Sequence, residues 1–376
     1  MRPGWTARSI DDLGIVGRGR SRHRPRNDES LYGGEFAFIQ TAEIHEADLF
    51  ITDYRQTYNN KGLDQSRLWE PGTVCITNAG ENTGDCAVLG IAACIPDSII
   101  AVQVDREKSD PVFLKYAVDL MKPQFRQVTR GATQDNLSVE KLLSFKFPVP
   151  APAVQRRIAE ILRQYGEMIQ NNHRRIALLE EAARLLYHEW FVLLRFPGHE
   201  HTRIINGVPA GWERKSLGEV ATLTYGKSLR EEERKDGAIR VYGSSGVVGT
   251  HDQKLVSGPG IVVGRKGNVG SVYWEDGDFW PIDTVYYVDA VESSLFLLHN
   301  LMNQPFQSSD AAVPGLNRSY ASGLPVLLPK KALRDEFEAY AGAFREEIRV
   351  LAQMNVKLRA ARDLLLPRLM SGEITV

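Results

Sequence analysis

One eight-residue stretch of the chain could hold a nucleotide phosphate. ATLTYGKS (221–228) fits a permissive Walker A pattern, with Ala221 in the place of the first glycine. In such a loop, backbone N–H groups cradle the phosphates and a lysine, here Lys227, reaches the β- and γ-phosphates. The sequence shows no obvious strand that ends in a magnesium-binding aspartate. We therefore favour a glycine-rich turn, and a P-loop nucleotide-binding enzyme with a coiled-coil arm stays as the alternative.

Other signals for catalysis or metal binding are weaker. His199 and His201 could supply two metal ligands, but no third ligand lies nearby, and the segment is typical of a linker. Cys75, Cys86 and Cys94 are an odd number of cysteines without a CxxC motif, which indicates neither a zinc site nor a disulfide framework. We predict that the chain has no catalytic residue, no metal site and no cofactor of its own.

Basic residues beside glycine, asparagine and aromatic residues are better candidates, and they suit nucleic acid. Lysine and arginine neutralise phosphates, whereas arginine, asparagine and glutamine can make paired hydrogen bonds to base edges. Because the net charge is only -1, binding must depend on local patches such as RGRSRHRPR (18–26). The predicted DNA-binding residues are Arg18, Arg20, Arg22, Arg24, Arg26, Asn78, Arg130, Gln134, Lys227, Arg230, Arg265, Lys266, Asn268, Asn317 and Arg318.

The segments that position these residues occur twice. Gly4-Trp5 recurs as Gly211-Trp212, 207 positions later, and later in the chain the offset is 179. A duplication of this size predicts two similar modules, related by a pseudo-two-fold axis or by a translation. At the first offset, the residues 18–21 fall on 225–228, so the arginine run is predicted to be a loop of the first module. We expect Arg18 and Arg20 to lie near DNA and the later arginines to contact phosphates.

Each module has the pattern of a mixed α/β domain. Glycines and prolines interrupt β-branched and aromatic runs such as 261–274 and 284–288, which is typical of short strands and turns. By contrast, 112–125 and 294–306 are predicted to be helical. The order of these segments does not indicate a βαβ repeat.

A long helix is predicted after a proline-rich stop in each copy, FPVPAP (147–152) and LPVLLP (324–329). Apolar residues recur every three or four positions over about five heptads, which predicts coiled-coil helices that pair with each other. Asn172 and Asn355 interrupt the two seams, either as buried residues that fix the register or as solvated gaps. Met168 and Ala182 are assigned to the first seam. The main predicted interface residues are Ile158, Ile161, Tyr165, Ile176, Leu179, Leu186, Phe337, Tyr340, Phe344, Leu351, Leu358 and Leu365.

The composition is that of an ordinary globular protein, with 43% hydrophobic and 25% charged residues. No apolar run approaches the roughly 20 residues that a membrane-spanning helix needs. The first residues also lack the apolar segment of a signal peptide. We therefore expect a cytoplasmic protein without a membrane partner.

In this order, the segments resemble the specificity (S) subunit of type I restriction-modification systems over nearly the whole chain. The resemblance is carried by Gly211-Trp212 with Leu217-Gly218-Glu219, by the Gly-Lys-Ser turn, by the proline stops and by the long helices. The first copy departs from the pattern, because it has WTARSIDDLG where a clearer LGE-type segment is usual. The most telling stretches are VYGSSGVVG (241–249), PGIVVGRKGNVG (259–270), EEAARLLYHEWFV (180–192) and ARDLLLPRLMSGEI (361–374).

The resemblance implies an α+β fold with two mixed α/β target recognition domains, two long antiparallel coiled-coil helices that separate them, and an internal pseudo-two-fold repeat. Each domain would read one half of an asymmetric bipartite target in double-stranded DNA, and the helices would set the spacer. The predicted boundaries are 1–150 for the first recognition domain, 151–195 for the central helix, 196–210 for a linker, 211–330 for the second recognition domain and 331–376 for the C-terminal helix.

The resemblance also implies partners that carry out the chemistry. Two methyltransferase (M) subunits would dock on the helices, bind S-adenosylmethionine and methylate adenine N6. Restriction (R) motor-nuclease subunits would join them and use ATP and Mg²⁺. The present chain would then supply sequence choice and assembly, and would not be an enzyme by itself.

Overall fold

The computed structural model of the chain describes residues 4–23, 25, 28–129, 136–307 and 315–376. The chain divides into two compact units. Unit 1 comprises Met1–Arg175 and Leu351–Val376, and unit 2 comprises Ile176–Val350. Both divisions fall inside a long helix, so each unit contains part of each long helix. The boundaries proposed from the sequence stay predictions.

The elements of the chain are mostly short strands and short helices, with two long helices among them. From the start of the chain they are β1 (Thr6–Arg8), β2 (Gly14–Arg18), β3 (Tyr32–Phe38), α1 (Thr41–Glu46), β4 (Phe50–Ile51), β5 (Gln56–Tyr58), α2 (Asn60–Asp64), β6 (Leu68–Trp69), β7 (Thr73–Thr77), β8 (Cys86–Leu89), β9 (Ala93–Cys94), β10 (Ile99–Val104), α3 (Pro111–Thr129), α4 (Val139–Ser144), β11 (Phe147–Val149) and α5 (Pro152–Tyr187). They continue with β12 (Ile204–Ile205), β13 (Val208–Pro209), β14 (Glu213–Ser216), α6 (Leu217–Val220), β15 (Thr224–Tyr225), β16 (Ile239–Gly243), β17 (Gly246–His251), β18 (Gly260–Gly264), β19 (Val272–Glu275), β20 (Phe279–Pro281), β21 (Val285–Val288), α7 (Leu295–Met302), α8 (Arg318–Gly323), β22 (Pro325–Leu328) and α9 (Lys331–Met370).

The described residues of unit 1 form three sheets. The largest has the order β2-β10-β7-β8-β4, in which β4 runs parallel to β8 and the other pairs are antiparallel. A second sheet has the order β5-β3-β9-β6, and β1 pairs with β11. Strand β7 is buried along its whole length, because α3 covers one face of the large sheet and the second sheet packs on the other.

Unit 2 repeats this topology. Its largest sheet, β15-β21-β18-β19, has the order of β2-β10-β7-β8 in unit 1. In the second sheet, β16 has an antiparallel neighbour (β17) and a parallel one (β20), as β3 has in β5 and β9. The pair β14-β22 corresponds to β1-β11. The predicted duplication is therefore visible in the strand order, although not as a βαβ repeat.

The two offsets that were found in the sequence also appear in the strand register. Thr6 is paired with Val149 in unit 1, and Glu213 is paired with Leu328 in unit 2. The first members of these pairs differ by 207 positions and the second members by 179, as the sequence comparison predicts. The register thus confirms both offsets with one pair of residues from each unit.

Equivalent capping boxes start the helical turns that follow β1 and β14. The backbone N–H of Ser216 donates to Glu219 Oε2 at 2.7 Å, and that of Ser9 donates to Asp12 Oδ2 at 2.9 Å. Hydrogen bonds from the serines lower the pKa of both carboxyls. Asp12 in the segment IDD therefore makes the same capping contacts as Glu219 in LGE, so the two copies share this turn with different residues.

Within unit 1, the first part of α5 packs with the last part of α9. Ile158 lies in the same buried cluster as Leu366 and Leu369. Further along both helices, Asn172 Nδ2 donates to Asn355 Oδ1 at 2.8 Å, and both side chains are buried. The two asparagines are therefore buried residues and not solvated gaps.

Within unit 2, the helices meet through aromatic rings. After Tyr187, α5 continues as one π-helical turn, His188–Val192, which turns Trp190 and Phe191 into the core. Phe191 and Phe337 have ring centroids 5.2 Å apart in an edge-on arrangement. Such pairs contribute about 0.5–1.5 kcal/mol beyond the area that they bury.

The predicted helix interface is shifted by one residue at several places. Ile158, Phe337 and Leu351 are buried as predicted. Tyr340 is 50% exposed, with its ring edge-on to Trp190 at the margin of the cluster. The other predicted residues are partly buried, namely Ile161, Tyr165, Ile176, Leu179, Leu186, Phe344, Leu358 and Leu365.

In three adjacent apolar pairs of α5, the more buried residue is the one that was not chosen. Leu162, Ile169 and Ala183 are buried, whereas Ile161 and Ala182 are only partly so and Met168 is exposed. Because both members of each pair are apolar, periodicity alone does not choose between them. The first part of α5 also packs against the sheet and helices of unit 1, so its apolar face is wider than a single helix–helix seam.

The segment that was predicted to be a linker has structure of its own. Phe196 is buried against Trp212, with ring centroids 5.0 Å apart, and β12 and β13 form a hairpin. His199 Nδ1 lies 2.8 Å from the Phe196 carbonyl oxygen, which holds that ring in the turn. Within the described ranges, no three His, Cys, Asp or Glu side chains are grouped so that they could hold a metal ion.

Among the described residues, no helix is both long enough and apolar enough to span a membrane.

Candidate nucleic-acid interface

The arginine run begins at a tight crossing of the chain that both units share. Gly19 and Gly226 each follow the edge strand of the large sheet, β2 or β15. A Cβ atom on Gly19 would lie 2.2 Å from the Pro96 carbonyl oxygen, and one on Gly226 would lie 2.1 Å from that of Ile282. Only glycine allows this close approach, so both turns are fixed by the backbone, and the residues on either side of each glycine face outward.

This geometry excludes the P-loop alternative for ATLTYGKS. The backbone N–H groups of Gly226 and Lys227 donate to the carbonyl oxygens of Val285 and Pro281, so they are not available to phosphate. The turn is followed by a three-residue 3-10 turn, Glu231–Glu233, in place of the α-helix that a P-loop requires. The match to the Walker A pattern is therefore a glycine turn at the edge of a sheet.

In unit 1, this turn forms one side of a small cleft of about 200 Å³. Arg18 lies on the strand side, where its Nε donates to the carbonyl oxygen of Asp97. Ser138 and Lys141 lie on the opposite side, and Ser138 Oγ caps α4 by accepting from the Lys141 N–H at 3.1 Å. The cleft thus brings Arg18 from the end of β2 together with Lys141 of α4, which is distant in the chain.

Asn78 lies at the base of this cleft and does not present its side chain to solvent. It is 2% exposed, and its Nδ2 donates to the Asp97 carbonyl oxygen at 3.1 Å. Its backbone carbonyl accepts from the Leu137 N–H at 2.7 Å. Asn78 stays a predicted DNA contact, but in this arrangement its side chain is buried, and its hydrogen bonds join the end of β7 to Asp97 and Leu137.

The other described arginines of the run are exposed. Ser66 Oγ donates to the Arg20 carbonyl oxygen, and Gln65 Oε1 accepts from the Arg22 N–H at 2.6 Å, so the backbone is held while the side chains face solvent. Just beyond, hydrogen bonds from Ser30 and then from His23 lower the pKa of Asp28 to about 2. Arg24, Arg26, Arg130 and Gln134 lie outside the described residues.

At the equivalent place in unit 2, an exposed tyrosine lies close to two arginines. Tyr225 takes the position of Arg18, and the Cζ atoms of Arg265 and Arg318 each lie 5.2 Å from the centroid of its ring. Arg265 Cζ also lies 5.9 Å from the ring of the buried Tyr286. The same backbone hydrogen bond occurs in both units. The Leu316 N–H donates to the Arg265 carbonyl oxygen at 2.8 Å, and the Leu137 N–H of unit 1 donates to the Asn78 carbonyl oxygen.

The remaining predicted residues of unit 2 differ in availability. Lys227 and Asn268 are exposed, and Lys266 is half-buried in the turn between β18 and β19. Arg230 is exposed and lies 3.9 Å from a carboxylate oxygen of Glu232. The Asn317 side-chain oxygen accepts from the Tyr320 N–H at 3.0 Å, so this oxygen caps α8 and is not free to contact a base.

Sequence reasoning missed two residues of these arrangements. Tyr225 was overlooked because the pattern search followed charge, although an exposed aromatic residue beside a glycine crossing is a usable signal. Lys141 was overlooked because its neighbours are ordinary helix residues. The second offset could have found it, since Lys141 falls on Tyr320 of the other copy.

Comparisons with known proteins agree with this arrangement. A model of the type I restriction modification DNA specificity domain matches residues 3–181 and 209–330. The chain belongs to this family. Its two specificity domains contain the two arrangements described above, and the role of the chain is in DNA sequence specificity. Each match also includes the sheets with their equivalent strand order.

The family relationship extends over the length of individual relatives. The specificity subunit of the type I restriction enzyme MjaIX from Methanocaldococcus jannaschii is 20% identical over 414 aligned positions, which cover 99% of this chain and 94% of the relative. The MjaVIII specificity subunit of the same organism is 20% identical over 205 positions, 54% of this chain and 43% of that relative. The crystal structure of a type I restriction-modification S subunit from M. genitalium has a TM-score of 0.57 and 17% identity, covers 97% of this chain and 96% of that one, and shares the fold.

Proposed function

We propose that each unit reads one half of an asymmetric bipartite target in double-stranded DNA. The observation that carries this proposal is the equivalent backbone arrangement around Gly19 and Gly226, which presents different side chains in the two units. The same strands and the same backbone hydrogen bonds frame both places, but Arg18 stands in one where Tyr225 stands in the other. A shared frame with exchanged contact residues suits two readers of different sequences, because base contacts specify the site.

We further propose that α5 and α9 pair as an antiparallel coiled coil that sets the spacer between the half-sites. The buried hydrogen bond between Asn172 and Asn355 supports a fixed register. A single polar pair in an apolar seam disfavours slipped alignments, because any slip would leave both amides buried without their partner. The internal repeat would then place the two readers around a pseudo-two-fold axis.

Two M subunits are proposed to dock on the exposed side of these helices. The helices carry apolar side chains that face solvent, among them Leu178, which is 69% exposed, and Leu364, which is 73% exposed. Such residues on long helices are suited to bury against a partner. The M subunits would bind S-adenosylmethionine and methylate adenine N6, and R subunits would supply the ATP- and Mg²⁺-dependent motor and nuclease. The assembly would act in the cytoplasm.

The proposal is tested by methylome sequencing of a host that expresses the M subunits with and without this chain. The expected result is a split, adenine-methylated motif that depends on the chain. Because loss of the M subunits would also remove methylation, the purified complex is assayed in parallel for binding to that motif against shuffled DNA. A complex that binds no specific DNA, together with a methylome that does not change, would refute the proposal.

A further inference from the structure

We propose that Arg318 reads a guanine in the half-site of unit 2, and that Tyr225 positions its guanidinium. The inference rests on the proposed DNA-reading function. It adds which base is contacted and which residue contacts it. Arg318 and Arg265 approach the ring of Tyr225 at the same distance, 5.2 Å from Cζ to the ring centroid. A guanidinium within about 6 Å of an aromatic ring is attracted by its quadrupole.

The ring of Tyr225 packs on a second, buried tyrosine. Tyr225 is 47% exposed, and its ring lies 5.0 Å from that of Tyr286, at an interplanar angle of 60°. Tyr286 is buried, and its hydroxyl donates to the Leu316 carbonyl oxygen at 2.9 Å. The exposed ring and the segment that leads into α8, which begins at Arg318, are therefore fixed to the same buried residue.

Neither guanidinium is neutralised by a carboxylate among the residues that the structure describes. Arg345 provides the contrast in the same unit, because it makes two hydrogen bonds to the carboxylate of Asp276. Contact with an aromatic ring leaves the five N–H donors of an arginine unused. Arg318 is exposed, so its donors are available to a ligand that offers a pair of acceptors.

A guanine edge fits this arrangement better than a phosphate. Guanine offers N7 and O6 as adjacent acceptors in the major groove, and a bidentate arginine is the commonest specific contact to them. Two lysines lie beside these residues in the chain. Lys227 follows β15, two positions after Tyr225, and Lys266 follows β18, directly after Arg265. Their ammonium groups are mobile point charges that suit phosphates, whereas an arginine oriented by a ring suits a fixed base edge.

The proposal also predicts in which half-site the guanine lies. At the offset of 179, Arg318 corresponds to Val139 of unit 1, and at 207 Tyr225 corresponds to Arg18. Unit 1 therefore has no aromatic ring at the position of Tyr225 and no arginine at the position of Arg318. The guanine contact is expected in the half-site of unit 2, and changes at Arg318 should leave the other half-site unaltered.

The test compares Arg318→Lys, Arg318→Ala and a matched control, Arg214→Ala on β14, each in the complex with the M subunits. Methylated motifs are mapped, and binding is measured against duplexes with each base at each position. Both Arg318 variants are expected to relax one guanine position by about 5- to 150-fold and to leave the other half-site unchanged. The control should keep the wild-type motif.

A phosphate contact would give a different result and would overturn the proposal. Arg318→Lys would then keep the motif and nearly wild-type affinity, and Arg318→Ala would weaken all sequences equally and reduce the salt dependence. A wild-type motif without guanine in either half-site would overturn it as well. If the wild-type chain directs no motif at all, the proposed function fails first, so the two failures are distinguishable.

The positioning role has its own readout. Tyr225→Phe keeps the ring and is expected to keep the guanine requirement, whereas Tyr225→Leu should relax the same position as Arg318→Ala. Each variant is first checked for a wild-type unfolding midpoint. A changed motif then cannot result from a folding defect. Equal motifs for Tyr225→Leu and wild type would show that the ring does not orient Arg318.

Discussion

Asn172 and Asn355 form a buried hydrogen bond, 2.8 Å long, between α5 and α9 of unit 1. Asn355 Nδ2 also lies 3.5 Å from the Ile169 carbonyl oxygen. The two amides therefore satisfy part of each other's hydrogen-bonding capacity inside an apolar seam. A shifted alignment of α5 and α9 is disfavoured, because it would bury the amides against leucine and isoleucine side chains.

We expect Asn172→Leu to lower the free energy of unfolding by about 1–3 kcal/mol, because the Asn355 amide then stays buried without its partner. The double variant Asn172→Leu/Asn355→Leu should recover most of that loss, since no amide is left unpaired. Urea denaturation and a double-mutant cycle measure the coupling. Asn171→Leu, on the exposed neighbour, is the control. An Asn172→Leu protein as stable as wild type would show that the pair contributes no stability.

Insertion or deletion of about four residues in α5 near Asn172 should change the spacer that the complex accepts, or abolish activity. The half-site sequences should stay the same, because the predicted DNA-reading residues lie elsewhere. Methylome sequencing of each variant gives both quantities. An insertion of equal length in the turn of the β12–β13 hairpin, after Gly207, is expected to leave the spacer unchanged. Altered half-site letters would contradict the separation of reading from spacing.

Replacement of Arg22, Arg24 and Arg26 by alanine should weaken binding to specific and nonspecific DNA by a similar factor. If all three contact phosphates, the slope of log K against log salt falls by up to about 3, since each contact releases about 0.9 counterion. The motif should not change. Binding titrations over a range of salt concentrations measure the slope. An unchanged slope would show that these arginines are ordinary surface residues.

His299 should make unit 2 less stable in mild acid. Its ring lies 5.8 Å from that of Tyr187 and 5.9 Å from that of Phe337, and burial lowers its pKa to about 4. Between an unfolded-state pKa near 6.5 and that value, the unfolded chain binds a proton that the folded chain does not. The free energy of unfolding therefore falls as pH decreases through this window, by up to about 3 kcal/mol.

His299→Phe is expected to remove this part of the pH dependence, because phenylalanine does not titrate. Urea denaturation at about pH 7.5 and about pH 5 compares the variant with wild type. His201→Phe, at an exposed histidine, serves as the control and should keep the wild-type dependence. Equal losses of stability in wild type and His299→Phe would assign the effect to other groups.

The sequence predicted the duplication well because strand pairing depends on local patterns that both copies keep. The capping residues Ser216 and Glu219 and the crossing glycine Gly226 could each be matched to a residue of the first copy. The sequence did not predict that Asn78 is buried, because its burial depends on Leu137 and Asp97, which are distant in the chain. Side-chain exposure at a cleft depends on such long-range contacts, and a single sequence does not contain them.

Adjacent apolar residues were the other source of error. Met168 and Ile169 are both apolar, and only the packed structure shows which one is buried. Tyr225 was missed for a different reason. Tyr225, Arg265 and Arg318 are common residue types, and they meet only because three segments that are distant in the chain pack together. Local signals thus predict the elements, whereas the chemistry of each predicted reading site depends on how those elements pack.

The division of both long helices between the units has a consequence for synthesis. Unit 2 is one continuous segment, Ile176–Val350, and is complete before the rest of α9 is made. The core of unit 1 includes Leu366, Leu369 and Met370, so it closes only after this part of α9 has left the ribosome. The domain translated first is therefore finished last, which reverses the usual N-terminal-first order of cotranslational folding.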